Sequence, residues 1–168
     1  MSVLVAYGSK RGGTEGLANM VADDLRAEGL AVDVRPARRA GRIADYDTVI
    51  VGGALYAAHW HRDARRFVKR NTDDLRHRRV YLFSSGPLDG SASEKDIPPV
   101  KGVAALMERV GAREHVTFGG RLTPDAKGFP AGAMARNHAG DWRDPTQVEA
   151  WTHHLAAEIR SPVPPGKR

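Results

Sequence analysis

Apolar residues form five short runs along the chain, each bounded by polar or turn-forming residues. The runs lie at 3–7, 30–35, 48–51, 80–83 and 116–118, and three of them are almost purely apolar, as expected of strands covered on both faces. The run at 30–35 alternates between apolar and polar residues, which is typical of an edge strand. The pattern therefore predicts five β-strands.

Between and after these runs, apolar residues recur every three or four positions, which is the spacing of one face of a helix. The four predicted faces consist of Leu17, Met20, Val21 and Leu25; of Ala64, Phe67 and Val68; of Val103, Leu106, Met107 and Val110; and of Val148, Trp151, Leu155 and Ile159. Strands that alternate with helices predict an α/β fold with a parallel sheet, right-handed crossovers and helices on both faces.

Two segments fall outside this alternation. The segment 121–144 is rich in Gly, Pro, Asn and His and is too long for an ordinary connection. Sheets of this kind have a binding crevice at the carboxyl ends of their strands, and we interpret the segment as a loop over that crevice. Residues 161–168 contain too many prolines to be helical. The length of 168 residues suits one domain. We therefore predict a single domain at 1–160 and a disordered tail at 161–168.

Composition limits the chemistry and the partners. The chain has no cysteine, so redox work needs a bound cofactor, and its net charge of +6 favours anionic partners. The basic residues are scattered without interleaved aromatics or a nucleic-acid motif, so we predict no nucleic-acid binding. The first residues read as a strand and no apolar run is long enough to span a bilayer, so we expect a cytoplasmic protein.

The loop after the first strand has the residues of an anion site. It runs Ser9, Lys10, Arg11, Gly12, Gly13, Thr14 and leads into the first helix. A helix N-terminus offers unpaired backbone N–H groups and a partial positive charge, and glycines let the backbone approach an anion closely. Hydroxyl groups add donors. The alternative interpretation is an ordinary strand-to-helix turn with Thr14 as a capping residue.

This loop resembles the FMN-phosphate loop of flavodoxins, Ser/Thr-x-Thr-Gly-x-Thr, with Ser9, Gly12 and Thr14 at matching positions. Arg11 departs from the pattern, because it stands where the family usually has a hydroxyl residue. The loop matches neither the nucleoside-triphosphate motif nor Gly-x-Gly-x-x-Gly. The resemblance implies FMN as the cofactor and a flavodoxin-like doubly wound five-stranded sheet in the order 2-1-3-4-5.

The segment after the third strand, 52–61, resembles the second flavin loop of the quinone-dependent protoporphyrinogen oxidases of this fold, which have Gly, six residues, and His-aromatic-His. By this resemblance we expect flavin contacts from Ala54, Leu55, Tyr56, Ala57 and Ala58. Tyr56 is the better candidate than Trp60 for the aromatic wall against the ring. His59 and His61 are candidates to carry protons or to attract a substrate carboxylate, and we take His59 as the catalytic candidate. The alternative is that both are surface histidines without a functional role.

Relatives often have glycine near Ala58, where the backbone changes conformation on flavin reduction. Alanine makes a positive φ angle costlier. A third loop follows the fourth strand, and we expect Ser84, Ser85 and Gly86 to contact the flavin, with the Gly86 N–H group near its polar edge. The alternative for this third loop is a simple Gly-Pro turn.

Three functions remain open at this point. The first is an FMN-dependent oxidoreductase, similar to protoporphyrinogen oxidase, that acts on an anionic or quinone substrate and contacts an acidic membrane surface peripherally. Candidate carboxylate contacts are Arg62, Arg121, Lys127 and Arg136. The second is a non-enzymatic electron carrier with a redox partner protein. The third is a docking module that has lost FMN. No Cys or acidic residues stand at ligand spacing from His59 and His61, so we predict no metal site.

Overall fold

The computed structural model describes residues 1–10, 12–122 and 140–163. Its central sheet contains five parallel strands in the order β2–β1–β3–β5–β6, with a short strand β4 paired antiparallel to β3. The strands are β1 (Ser2–Gly8), β2 (Ala31–Pro36), β3 (Thr48–Tyr56), β4 (His59–Trp60), β5 (Arg79–Ser85) and β6 (Glu114–Phe118). The predicted order 2-1-3-4-5 is confirmed, because β4 lies outside the parallel set.

Six helices flank the sheet in the described part of the chain. They are α1 (Gly13–Ala27), α2 (Arg62–Arg70), α3 (Thr72–Arg76), α4 (Ser91–Glu94), α5 (Lys101–Val110) and α6 (Pro145–Arg160), with a 3-10 turn at Ala37–Arg39. Each predicted apolar face belongs to one of the four longer helices. The pattern did not predict α3, α4 or the 3-10 turn, since each is too short to show a period.

The sheet separates two apolar clusters. Helices α1 and α6 pack on one face, where Phe83, Phe118 and Trp151 form tilted and edge-on ring contacts with centroids 5.6–6.2 Å apart. Helices α2, α3 and α5 pack on the other face. Burial on both faces explains why β1, β3 and β5 read as continuous apolar runs.

The segment interpreted as the second loop is a β-hairpin. Strand β3 continues to Tyr56, and β4 returns along it with Tyr56 opposite His59. Ala57 and Ala58 form the two-residue turn, with φ angles of 47° and 62°. Such turns normally use Asn-Gly or glycine because both central residues need positive φ. The sequence Ala-Ala carries no such signal, so the sequence analysis missed the hairpin.

The predicted loop at 121–144 has strands at both ends. Strand β7 (Arg121–Leu122) pairs antiparallel with β8 (Gly140–Asp141), so Leu122 lies opposite Gly140. Residues 123–139, including Lys127 and Arg136, lie outside the described residues. Helix α6 ends at Arg160, and the described part of the predicted tail stops at 163.

None of the helices in the described ranges has the length and apolar composition needed to cross a bilayer. Helix α6 is the longest of them, and it is amphipathic, with Val148, Trp151 and Leu155 buried against the sheet.

Candidate functional site: a cavity at the carboxyl ends of the strands

A cavity of about 900 Å³ opens where the carboxyl ends of β1, β3 and β5 meet. In a sheet of this order, the chain leaves β1 toward β2 on one side and returns to β3 on the other. Ligands of open α/β sheets bind at the crevice where the strand order reverses in this way. Most of the predicted cofactor residues line the cavity: Ser9, Lys10, Gly13, Thr14, Ala54, Leu55, Tyr56, Ala57, Ser85 and Gly86. The candidate proton carrier His59 lines it too, with an exposed side chain.

The loop that precedes α1 is shaped by its own hydroxyl and glycine residues. The Gly12 N–H group donates a hydrogen bond to Ser9 Oγ at 3.1 Å, and Gly12 has a φ angle of 80°. Helix α1 begins at Gly13 and has no side-chain cap. The alternative interpretation, in which Thr14 is only a capping residue, is therefore wrong, because Gly12 is the N-cap and Thr14 lies within α1.

Thr14 leaves a buried polar atom without a partner. Its side chain is 1% exposed, and its Oγ1 atom makes no hydrogen bond within the described residues. The backbone N–H groups of Thr14 and Glu15, in the first turn of α1, also meet no acceptor among those residues. A buried hydroxyl with no partner costs about 1–3 kcal/mol. Unpaired donors in the first turn of a helix fit an anion with several oxygens, such as a phosphate ester.

Tyr56 forms an aromatic wall beside this loop. Its hydroxyl accepts a hydrogen bond from the Lys10 N–H group at 3.3 Å, and its ring lies 6.0 Å from the His61 ring at 58°. These contacts hold the ring at the cavity, where an isoalloxazine ring would find a flat surface. Trp60 is 2% exposed, and its indole covers Gly53, where a Cβ would lie 2.5 Å from the indole ring. Tyr56 is thus better placed than Trp60 for stacking.

Ser84 belongs to the core, although we expected it to contact the cofactor. Its side chain is 1% exposed, and its Oγ accepts a hydrogen bond from Trp60 Nε1 at 3.1 Å and lies 2.8 Å from His115 Nε2. It does not line the cavity. Successive strand residues face opposite sides of the sheet, so Ser84 faces the α2 and α5 cluster with Leu82. Ser85 lines the cavity instead.

The Gly86 N–H group is already engaged. It donates to the Phe118 carbonyl at 3.2 Å, so it is not available to the polar edge of a ring, contrary to the expectation from the sequence. Gly86 nevertheless lines the cavity. Leu55 packs over it, so that a Cβ at this position would lie 2.8 Å from Leu55 Cδ1. Glycine at this position therefore allows close packing of the hairpin.

Two further predicted residues, Gly12 and Ala58, shape the turns of their loops without lining the cavity. Arg11 lies outside the described residues. Among the described residues, the predicted cofactor contacts therefore line the cavity except at Gly12, Ala58 and Ser84.

His61 caps α2 and lies beside the phosphate loop. Its Nδ1 accepts a hydrogen bond from the Asp63 N–H group at 3.1 Å, so the neutral ring carries its proton on Nε2. A Cβ on Gly8 would lie 3.0 Å from that same Nδ1, so β1 and α2 meet closely at this point. Burial lowers the pKa of His61, Asp63 opposes this, and Arg62, Lys10 and Arg38 lower the pKa further.

The sequence analysis missed several residues of the cavity. Arg38 and Arg65 line it, as do Tyr7 and Glu15. Burial raises the pKa of Tyr7, and a hydrogen bond to the Glu15 carboxylate raises it further. Arg38 follows the end of β2, which was a usable signal, because carboxyl ends of parallel strands border such crevices. Nothing in the sequence pattern distinguishes Arg65 from its neighbour Arg66.

Among residues 1–10, 12–122 and 140–163, no cluster of three or more His, Asp or Glu side chains has the arrangement of a metal site. Hydroxyl, backbone N–H, aromatic and cationic groups line the cavity.

Comparisons with known proteins agree with the fold. A mutant of the flavodoxin from Pseudomonas aeruginosa superimposes with a TM-score of 0.64 at 16% identity, covering 96% of this chain and 100% of that one. The flavodoxin of Streptococcus pneumonia TIGR4 gives a TM-score of 0.61 at 19% identity, covering 94% and 99%. Rubredoxin oxygen:oxidoreductase from Desulfovibrio gigas gives 0.59 at 17% identity, covering 95% of this chain and 37% of that one. These similarities show the fold.

No curated protein matches the sequence. The sequence model of the flavodoxin domain family matches residues 4–131, which is well over half of the chain and includes the loop before α1 and the β3–β4 hairpin. The chain therefore belongs to the flavodoxin domain family and is an FMN-binding protein.

Proposed function

We propose that this protein uses FMN for redox chemistry, with the flavin phosphate held by residues 9–14 and the ring flanked by Tyr56. The observation that carries the proposal is the buried Thr14 Oγ1 without a partner, next to unpaired backbone N–H groups at the start of α1. A phosphate ester would supply acceptors to all of them. The Ser9 hydroxyl hydrogen is a further donor, since its oxygen already accepts from Gly12.

The side chains around the cavity have separable tasks. FMN supplies the capacity to take up and release electrons or a hydride. Tyr56 and Leu55 offer a flat and apolar boundary to the ring. His59 is exposed at the cavity and is our candidate for exchanging a proton with the substrate. His61 is neutral near pH 7, because its pKa is lowered, and it can donate a hydrogen bond from Nε2.

Binding of flavins with and without a phosphate tests the proposal. Apo protein titrated with FMN and with riboflavin should bind FMN at least about 100-fold more tightly, because riboflavin leaves the donors of the loop without an anion. Flavin fluorescence gives both dissociation constants. Equal affinities for FMN and riboflavin would contradict the proposed role of residues 9–14.

A more specific proposal is oxidation of a carboxylated tetrapyrrole with a quinone as acceptor, as in the protoporphyrinogen oxidases that the hairpin sequence resembles. It is supported by His59, His61, Arg62 and Arg121, which line the same cavity. Turnover of protoporphyrinogen with a quinone, measured against free FMN at the same concentration, tests this activity. A rate no higher than that of free FMN would favour the alternative of a non-enzymatic electron carrier.

A further inference from the structure

Among the described residues, cations outnumber anions around the cavity. The cationic side chains that line it are Lys10, Arg38, Arg62, Arg65 and Arg121, and the anionic ones are Glu15 and Asp63. Glu15 is engaged by Tyr7, and Asp63 lies 3.9 Å from His61 Nδ1. A phosphate ester carries about two negative charges near neutral pH. One FMN would therefore leave positive charge at the cavity.

Three of these cations converge on one ring. Lys10, Arg38 and Arg62 each act electrostatically on His61, although they come from the phosphate loop, the 3-10 turn and the first residue of α2. The Asp63 carboxylate also acts on His61, with its Oδ2 atom 3.9 Å from Nδ1, so one anion accompanies the three cations. Arg38 lies in the 3-10 turn, Arg62 and Arg65 lie in α2, and all three line the cavity. We call Arg38, Arg62 and Arg65 the basic wall.

The cations of the basic wall have no ion-pair partner in the described part of the chain. Other arginines do pair, as Arg143 does with Asp141 at 2.7 Å. An unpaired arginine keeps all its donors available to a ligand.

The wall is also held in place by the fold. Arg70 Nη2 donates to the Ala37 carbonyl at 2.8 Å, which ties the end of α2 to the 3-10 turn that carries Arg38. At the other end of α2, Gly8 lies so close that a Cβ there would be 2.8 Å from the Ala64 backbone nitrogen. The basic wall is therefore anchored to β1 and to the turn after β2.

We propose that the basic wall is a second anion subsite, beside the loop for the flavin phosphate, and that it binds a carboxylate or phosphate group of the small molecule that reacts with the flavin. This inference rests on the proposed function, since it places the substrate next to bound FMN. A small molecule is favoured over a protein surface because these cations line a cavity. Binding of a polyanion at this wall would add negative charge near His61 and raise its pKa.

Neighbouring arginines provide matched controls. All four arginines are exposed, but Arg38 and Arg65 line the cavity, whereas their chain neighbours Arg39 and Arg66 do not. The substitutions Arg38→Gln, Arg65→Gln, Arg39→Gln and Arg66→Gln each remove one positive charge. A general effect of net charge would therefore be the same in all four variants, whereas an effect of the subsite would separate them into two pairs.

Citrate is a suitable probe, with acetate at equal ionic strength as the control. FMN-loaded wild type should bind citrate, and the pKa of His61, followed by NMR, should rise with citrate and not with acetate. Arg38→Gln and Arg65→Gln should each weaken citrate binding about tenfold, and Arg39→Gln and Arg66→Gln by less than about twofold. Equal effects in all four variants, or no citrate binding to the FMN-loaded protein, would overturn the inference.

FMN affinity is measured first for every variant, so that failure of the proposed function is distinguishable. Absence of FMN binding in the wild type would refute the proposed function itself. FAD tests whether the wall binds a cofactor instead of a substrate, because FAD carries a second phosphate group. FAD and FMN should bind with similar affinity. If FAD binds about tenfold more tightly and Arg38→Gln abolishes that advantage, the wall serves the cofactor and the assignment to a substrate is wrong.

Discussion

The indole Nε1–H group of Trp60 donates a hydrogen bond to Ser84 Oγ at 3.1 Å, and both side chains are at least 98% buried. This bond joins the β3–β4 hairpin to the end of β5. The hairpin carries Tyr56 and the end of β5 carries Ser85, and both of these residues line the cavity. The position of the aromatic wall therefore depends on a hydrogen bond in the core.

Ser84→Ala should lower the free energy of unfolding by about 1–3 kcal/mol, because it leaves a buried indole N–H group without an acceptor. Urea unfolding checks the value. Trp60→Phe should partly offset the loss in the double variant, since it removes the donor as well. The exposed Ser93→Ala serves as the control and should change stability by less than about 0.5 kcal/mol. Additive effects of the two core substitutions would count against the bond.

His115 should make stability depend on pH. Burial lowers its pKa to about 4, while Asp96 opposes the shift. The unfolded chain therefore binds a proton near pH 6.5 that the folded protein does not bind until about pH 4. The free energy of unfolding should fall as pH decreases through this window, by roughly 3 kcal/mol in all from this residue.

Denaturant unfolding at a series of pH values measures this contribution. In His115→Gln the pH slope between 4 and 6.5 should be smaller by about one proton. His77→Gln, at an exposed position, should keep the slope of the wild type. An unchanged slope in His115→Gln would show that the ring is not held neutral.

Ala57→Gly and Ala58→Gly should each stabilise the protein. Both alanines have positive φ, which costs an L-residue about 1–2 kcal/mol, and part of this gain is offset by the greater freedom of glycine in the unfolded chain. We expect a net gain of about 0.5–1 kcal/mol in unfolding free energy. Ala105→Gly, on the exposed face of α5, should lose about 1 kcal/mol instead. If glycine changed the unfolding free energy in the same direction in the turn and in α5, the turn geometry would be contradicted.

Thr14→Val should separate cofactor binding from folding. The substitution keeps the shape of the side chain and removes the buried Oγ1 that has no partner, so the apo protein should be equally stable or more stable. FMN affinity should fall about tenfold, because one donor to the phosphate is lost. Thr146→Val, at the same position of the first turn of α6, is the matched control. Unchanged FMN affinity would place the phosphate elsewhere.

The parallel sheet was predictable because β1, β3 and β5 are buried on both faces and leave continuous apolar runs, whereas the strand order was predicted from the resemblance of the loop at 9–14 to that of flavodoxins. The loop at 9–14 was predictable too, since glycines and hydroxyls at the start of a helix have a local physical meaning. The β3–β4 hairpin was not predictable, because its turn uses alanine where positive φ normally selects glycine or asparagine.

Two features account for the other differences between prediction and structure: the side of the sheet that a side chain faces, and contacts between segments that are distant in the chain. Ser84 and Ser85 are identical in type, and only the alternation along β5 assigns one to the core and the other to the cavity. The Gly86 N–H group is taken by Phe118, which lies far along the chain at the end of β6. Arg38 and Arg65 meet at the cavity because α2 crosses back beside the turn after β2. Such contacts are set by tertiary packing, which the sequence pattern does not show.

The pairing of Leu122 with Gly140 brings the two ends of the segment 123–139 side by side. Those ends border the cavity, since Arg121 and Leu122 line it. Strands β7 and β8 pair with each other and not with the central sheet. A change of length between them should therefore leave the register of the five parallel strands, and with it the cofactor site, unaltered.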